Sequence, residues 1–283
     1  MGEPPAERGW ATAGLRPVLR YLVLTVVAVV VFLPVYTALV VSIQPSSRLL
    51  DFPGVLVPTD VDFGVFARAF RTGHLGRYLL NSVVVTTLVV AGQLVTSVLA
   101  GYAFAFLRFP GKRLLFVAFL ATLMVPAEVT LVANYETVQR LGWLDSYQAL
   151  TVPFLATAFG TFLLRQAFLQ VPRDLRDAAA LDGYGHVGFL WGVALPLARP
   201  ALGALGVLSF LLSWNSYLWP LLVTNDDRYR TVQIGLKALA SSRLDELNLI
   251  MAGAVIAALP IFVLLLVFQE QLVRGLTSGG VKG

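Results

Sequence analysis

Six stretches of this chain stay apolar for longer than most soluble helices do. They run roughly over residues 18–43, 79–106, 114–134, 147–168, 200–223 and 249–272. Crossing a hydrocarbon layer about 30 Å thick takes about 20 predominantly apolar residues in a helix. Each stretch is therefore predicted to be a spanning α-helix. The expected fold class is all-α: a polytopic membrane protein with about six transmembrane helices, read as one transmembrane domain over residues 1–283 with core spans at about 79–272.

The segments between the runs are polar and short. Residues 44–77 carry Pro45, Pro53, Pro58, Asp51, Asp60 and Asp62, followed by an amphipathic piece, Phe63–Phe70. A turn is predicted around Leu141, Gly142 and Trp143. A connector of about 30 residues, Gln170–Arg199, joins the fourth and fifth runs, and Asn225–Asn248 joins the fifth and sixth. The first run follows Arg16 and Arg20 and extends to about Ile43. The apolar core of a cleaved signal is only about 7–15 residues, so an uncleaved first span is expected.

Composition agrees with lipid as solvent. The chain is 57% hydrophobic and 13% charged, against about 25% charged residues in an ordinary soluble domain. It has no cysteine, which removes disulfides, iron–sulfur clusters and thiol catalysis. His74 and His186 lie too far apart in sequence to suggest a metal-ligand spacing. The net charge of +5 sits in short connectors. It reads as membrane topology and anionic headgroups, and no nucleic acid partner is expected.

Orientation follows the cationic connectors. Arg108, Lys112 and Arg113 crowd the turn 107–113, which is expected to be cytoplasmic. The N-terminal tail with Arg8, Arg16 and Arg20 agrees. An even number of spans then places the C-terminus, with Arg274 and Lys282, on the same side, together with the Gln170–Arg199 connector. Arg48, Arg68, Arg71 and Arg77 run against this pattern.

Polar residues inside spans are costly and tend to face the bundle interior. Ser82, Thr86, Gln93 and Ser97 recur at spacings of four, seven and four along one helical face. Thr157, Thr161 and Arg165 form a second stripe, and Ser209, Ser213 and Ser216 a third. Two readings stay open for each: a wall of a translocation path, or interhelical and own-backbone hydrogen bonding. Gln93 is favoured for the path. Glu128 and Asn134 follow Pro126 near one end of the third run. Trp214, Asn215, Tyr217 and Trp219 cluster at one end of the fifth, where aromatic rings suit either a stacked sugar or an interfacial belt. The candidate path residues are Thr86, Gln93, Ser97, Glu128, Asn134, Ser213, Asn215, Trp214 and Tyr217. Glu270, beside Gln269 and Gln271, marks the boundary of the last span.

The connector after the fourth run is the most informative segment. Pro172 suits a first helical turn, Asp174 and Asp177 suit its positive end, and Ala178, Ala179, Ala180 and Leu181 continue the helix. Asp182, Gly183, Tyr184 and Gly185 end it. A second helical stretch, His186–Leu195, is predicted to stop at Pro196. Here the sequence resembles the permease subunits of binding-protein-dependent ABC importers. Their loop pattern appears as Asp177-Ala178-Ala179, Asp182-Gly183, Phe189 and Leu195-Pro196, with Asp177 in place of the usual Glu and Tyr184 in place of a small residue. The resemblance extends over nearly the whole chain and lies in the carbohydrate-uptake, maltose-type branch. From Leu144 onward it is closest to the second permease subunit of sn-glycerol-3-phosphate importers. The residues that carry this are Leu144–Tyr147, Gly160–Gln166 and Trp214–Leu222.

The resemblance implies a type I importer permease fold in a bacterial inner membrane with both termini cytoplasmic. It implies that residues 171–199 form a coupling loop docking on a cytoplasmic ATPase subunit. Asp177 would accept hydrogen bonds or a salt bridge from the ATPase, Ala178 and Ala179 would be packing surface, and Gly183 the hinge. Asp182, Phe189, Leu195 and Pro196 complete the motif. The implied partners are a homologous permease subunit, two ATPase subunits, an extracytoplasmic substrate-binding protein and the bilayer. No P-loop pattern is present: Gly111-Lys112-Arg113 lacks the upstream glycine and the following Ser or Thr. The chain is thus expected to be non-catalytic, with no cofactor of its own and with ATP and magnesium bound by the partner ATPases. The solute expected is carbohydrate or glycerol-phosphate-like. Alternatives are another polar solute class, or an ion-coupled secondary transporter, for which mid-membrane ionisable residues and an inverted repeat would be needed.

Overall fold

The computed structural model describes residues 10–48, 56–58, 60–72, 74–242 and 246–278. Among them every regular element is helical: α1 (Trp10–Ser42), α2 (Gly64–Thr72), α3 (Leu75–Phe106), α4 (Lys112–Ala121), α5 (Ala127–Arg140), α6 (Tyr147–Thr151), α7 (Ala158–Leu169), α8 (Arg173–Leu181), α9 (His186–Phe189), α10 (Leu195–Leu197), α11 (Arg199–Trp214), α12 (Leu218–Val223), α13 (Val232–Ser242) and α14 (Leu247–Ser278), with short 3₁₀ and π turns between some of them. The all-α expectation holds. Arg8, Asp51, Pro53 and Lys282 lie outside the described residues, as do the side chains of Arg16, Arg48, Glu270, Gln271 and Arg274.

Among the described residues three helices are long and apolar enough by themselves to cross a bilayer: Pro17–Ser42, Leu75–Phe106 and Leu247–Gln269. Counting each of three bent pairs as one span brings the number to six: Lys112–Met124 with Glu128–Arg140, Tyr147–Phe154 with Ala158–Leu169, and His186–Leu197 with Arg199–Trp214, the last bent by 77°. The middle spans, expected from hydropathy to be continuous, are broken. The third breaks by 103° between Met124 and Glu128, because Pro126 offers no N–H and forces Val125 into extended backbone. The fourth bends by 44° between Phe154 and Ala158, just after Pro153. The fifth is interrupted between Trp214 and Leu218. Each break frees backbone carbonyls that hydrocarbon cannot solvate. At the fourth, side chains of α3 supply the missing donors. Gln93 Nε2 bonds the Phe154 carbonyl at 2.9 Å and Thr96 Oγ1 that of Leu155 at 2.8 Å. At the fifth, Asn215 Nδ2 adds a bond at 2.8 Å to the Leu211 carbonyl, which also accepts from Asn215 N at 3.2 Å.

Contacts group the chain into two units. In the first, Met1–Ala69 with Ala240–Ile256, α1 is almost wholly exposed along Val18–Leu33, as lipid contact requires. The predicted amphipathic piece is α2, which buries Val65 and Ala69. Asp62 holds its start, accepting from Gly64 N at 2.8 Å and from Arg68 at 2.6 Å. That arginine bond keeps the Asp62 carboxyl below the usual carboxylate range. Asn248 Nδ2 donates to the Gln44 carbonyl at 2.8 Å.

In the second unit, Phe70–Leu239 with Ala257–Gly283, α3 is the central post. Its buried stripe is Asn81, Ser82, Val85, Thr86, Val89, Ser97, Val98, Gly101 and Tyr102, a three- and four-residue spacing that keeps one face inward. Leu80, Val83, Leu88, Val95 and Leu99 face outward. Helices in lipid gain little from hydrophobic burial and pack through small residues instead. A Cβ on Gly101 would meet Arg165 N of α7 at 3.0 Å, and one on Gly160 would overlap Ser97 Oγ of α3. These glycines set the α3–α7 crossing.

Candidate functional site

The connector predicted as helix–turn–helix is one. Its first helix, α8, ends in a left-handed Gly183 at φ +82°. Tyr184 N bonds the Ala179 carbonyl at 2.9 Å and Gly183 N that of Ala180 at 3.2 Å, a glycine-terminated cap. The second helix does not stop before Pro196 but continues to Leu197. A π turn over Leu190–Ala194 precedes the proline, and such widening relieves its clash with the carbonyl four residues back. The Tyr184 ring lies over Gly188 and Gly192, whose added Cβ atoms would stand 3.0 and 3.1 Å from it. Glycines four apart thus accommodate the bulky residue in the turn.

This element is fastened to the spanning helices. Tyr102 Oη lies 3.1 Å from His186 Nδ1 and 3.1 Å from the His186 carbonyl. The Tyr102 ring meets Phe168 of α7 edge-on at 6.1 Å. Phe189, Leu190 and Ala194 are buried in the same cluster with Ala179. Ala179 therefore packs inward, against the expectation that it adds to an outer packing surface. Asp177, Ala178, Asp182 and Gly183 are exposed, and Leu195 and Pro196 half-buried. Leu181 is 89% exposed and Val187 72%, so the turn offers an apolar tip flanked by carboxylates. Lys112 donates to the Ala105 and Leu107 carbonyls at 3.3 and 2.8 Å, closing the end of α3 beside it.

A cavity of about 370 Å³ lies among α3, α6, α11 and α12. Ser82, Thr86, Gln93, Ser209, Ser213, Ser216 and Thr231 give it polar groups, and Val85, Val89, Phe154, Leu212 and Trp219 give it apolar walls. Gln93 is locked, since Ser209 Oγ donates to its Oε1 at 2.6 Å while its Nε2 holds Phe154. Ser82 Oγ accepts from Val232 N at 2.9 Å. Ser213 and Thr86 hydroxyls stand 3.4 Å apart. Thr231 Oγ1 is buried with no hydrogen-bond partner.

The structure thus gathers Thr86, Gln93 and Ser213 in one place, with Ser82, Ser209 and Ser216. Ser97 sits at the α3–α7 crossing, buried and without a hydrogen-bond partner. Trp214 is turned into the helix packing: its indole is 1% exposed, stacked on Phe210 at 5.5 Å, and bonded to the Ala257 carbonyl. Glu128 and Asn215 are exposed, Asn134 and Tyr217 half-buried, and none of the four lines this cavity. Arg165 is engaged by the Phe104 carbonyl at 3.2 Å and the Phe116 ring at 4.2 Å. Thr161 bonds the Thr157 carbonyl of its own helix. Sequence reasoning missed Asn81, whose amide donates to the Arg228 and Arg230 carbonyls at 2.9 and 2.8 Å while accepting from Tyr147 Oη at 2.8 Å. Its one signal was an amide next to Ser82 near a span end. These bonds fix the loop 224–231, where the Arg228 hydrogen bond keeps the Asp226 carboxyl below the usual carboxylate range.

Residues 93–278 match the model of a family described as the binding-protein-dependent transport system inner membrane component. The chain is 34% identical over 266 residues to the sn-glycerol-3-phosphate transport system permease protein UgpE of Yersinia pestis, covering 91% of this chain and 95% of that one. It is 35% identical over 275 residues to the protein of that name from Agrobacterium fabrum, covering 93% and 98%. Its fold is similar to a chain of a bacterial ABC transporter involved in the import of the acidic polysaccharide alginate, with TM-score 0.82 at 22% identity over 95% of this chain and 99% of that one. A bacterial alginate ABC transporter in complex with an alginate pentasaccharide-bound periplasmic protein gives TM-score 0.64 at 13% identity, covering 92% and 95%.

Proposed function

The chain belongs to the binding-protein-dependent transport system inner membrane component family, and from that premise we propose that it is the membrane-spanning permease subunit of an ATP-driven importer for a carbohydrate or glycerol-phosphate-like solute. Solute crosses by alternating access. An extracytoplasmic binding protein delivers it, and two ATPase subunits, which hold the ATP and magnesium, close on one another. The helix–turn–helix 173–197 receives that motion, with Asp177, Ala178, Asp182 and Gly183 on the docking face. A homologous permease completes the pathway, both termini are cytoplasmic, and this chain carries no catalytic group.

The observation that carries the reading is the attachment of the docking element to the spanning helices. An element pinned by Tyr102 to α3, and packed through Phe189 on the Tyr102 and Phe106 rings that also meet Phe168 of α7, moves with them as a rigid body. It therefore passes a push from below into the helix that carries Gln93. The test is uptake into vesicles holding this chain with its co-purifying partners. Uptake that requires both internal ATP and added binding protein supports the reading. Uptake by this chain alone on an ion gradient overturns it.

A further inference from the structure

The 370 Å³ cavity has a chemistry that its relatives' names do not suggest. We propose that it is a solute site within this subunit that accepts an uncharged polyhydroxylated molecule, such as a sugar or polyol, and rejects one bearing a phosphate or carboxylate. The proposal rests on the permease reading above.

Three observations carry it. The residues lining the cavity include no Lys, Arg, His, Asp or Glu. An anion moved there from water would lose its hydration with no countercharge in the wall, and an unpaired buried charge is far costlier than a buried hydroxyl that finds partners. Arg230, next in sequence to the liner Thr231, is not itself in the wall: it pairs with Asp227 at 2.7 Å, and its buried Nε has no hydrogen-bond partner.

The second observation is an open hydrogen-bonding valence. Thr231 is only 5% exposed, and its hydroxyl lacks a partner. Buried polar groups in native structures are almost always satisfied, so this one fits a ligand. Ser82 uses its oxygen to accept from Val232 N, which leaves its own proton to donate. The long Ser213–Thr86 contact of 3.4 Å is easily exchanged for a shorter bond. Hydroxyls both donate and accept, which matches another hydroxyl and suits a dianion poorly.

The third is shape. One wall is hydroxyl-bearing; the other presents Val85, Val89, Leu212 and the ring of Trp219. That ring is held in place, its N–H bonded to the Ala149 carbonyl at 2.9 Å and Phe154 edge-on at 5.6 Å. A sugar has the same two characters, C–H faces and a hydroxyl edge. Ligand sites run roughly from 300 to 1,000 Å³, and this one is at the small end.

The natural chain has no cysteine, which makes a protection experiment direct. Ser213→Cys is introduced, and the assembled importer in vesicles is treated with N-ethylmaleimide, with modification read on this chain by mass. Probes are glycerol, maltose and trehalose on one side, and sn-glycerol-3-phosphate and galacturonate on the other. At least one neutral probe should slow labelling about tenfold once it exceeds its Kd by about that factor, and neither anion should. Adding Thr231→Val should weaken the neutral protection, and adding Thr231→Arg should let sn-glycerol-3-phosphate protect. Protection by an anion without the added arginine overturns the proposal. So does protection by no probe in vesicles whose uptake still needs ATP and binding protein, an outcome that leaves the permease reading standing.

Discussion

The Tyr102 hydroxyl reaches both the Nδ1 and the carbonyl oxygen of His186, at 3.1 Å each. One side chain near the end of a spanning helix thereby holds the first residue of the second connector helix. The hydroxyl donates its one proton to the carbonyl and can accept from an Nδ1–H, and two contacts to one residue fix position and direction together, which a single contact would not.

Tyr102→Phe removes the hydroxyl and keeps the ring against Phe168 and Phe189. A typical hydrogen bond contributes about 1 kcal/mol, so the variant should fold and insert. Solute taken up per ATP hydrolysed should fall, while solute-independent hydrolysis persists. The ratio measured in vesicles checks this; an unchanged ratio would assign the pin to stability alone.

Gly183 separates backbone strain from crowding. A Cβ there meets nothing within 4 Å, yet φ is +82°. Gly183→Ala should cost about 1–2 kcal/mol through left-handed strain alone. Gly203 also has open space and no such backbone angle, and lies within α11, so Gly203→Ala should be neutral or slightly stabilising. Thermal unfolding of the two variants in detergent provides the comparison.

Gln93→Leu would leave the Phe154 carbonyl at the helix break with no donor and Ser209 with no acceptor. The cost of one such orphaned group is about 1–3 kcal/mol, so the melting temperature should drop clearly. Gln93→Glu keeps an acceptor for Ser209 but loses the donor to Phe154, and should be destabilised as well. A stable Gln93→Leu protein would mean that the break is satisfied some other way.

Gly160→Leu should drive α7 from α3, because even a Cβ overlaps Ser97 Oγ. Overpacking of this kind costs about 1–3 kcal/mol. Reducing Ser97 to Ala in the same chain should recover part of the loss, as measured by monodisperse yield and melting temperature.

Much of this fold was legible because lipid imposes a length on apolar runs: five of the six predicted stretches overlie a long helix or a bent pair, while the fifth, 200–223, takes only the Arg199–Trp214 half of its pair and runs on into α12. The bends were not legible from hydropathy, which does not register that Pro126 and Pro153 end a helix inside an apolar run. The connector motif was readable from Pro172, Asp174 and Gly183, since each residue has one local reason for its place. Whether Ala179 faced in or out was not, because neighbouring alanines look alike until Phe189 and Phe168 define the buried side. The cavity was half readable. Thr86, Gln93 and Ser213 share faces by spacing alone. Thr231 arrives from a loop whose course depends on Asn81, a contact 149 residues away in sequence.

The proposed contact between the end of α8 and an ATPase subunit can be tested with one cysteine. Leu181 is 89% exposed, so Leu181→Cys should leave the fold intact. A short reagent with a maleimide at one end and an amine-reactive ester at the other, applied to the assembled complex, should join this chain through the introduced thiol to a lysine of an ATPase subunit, and a membrane-impermeant maleimide should reach the site only in inside-out vesicles stripped of the ATPase. Labelling from the outside of intact cells, or no cross-link to any ATPase subunit in a complex that still transports, would contradict the account.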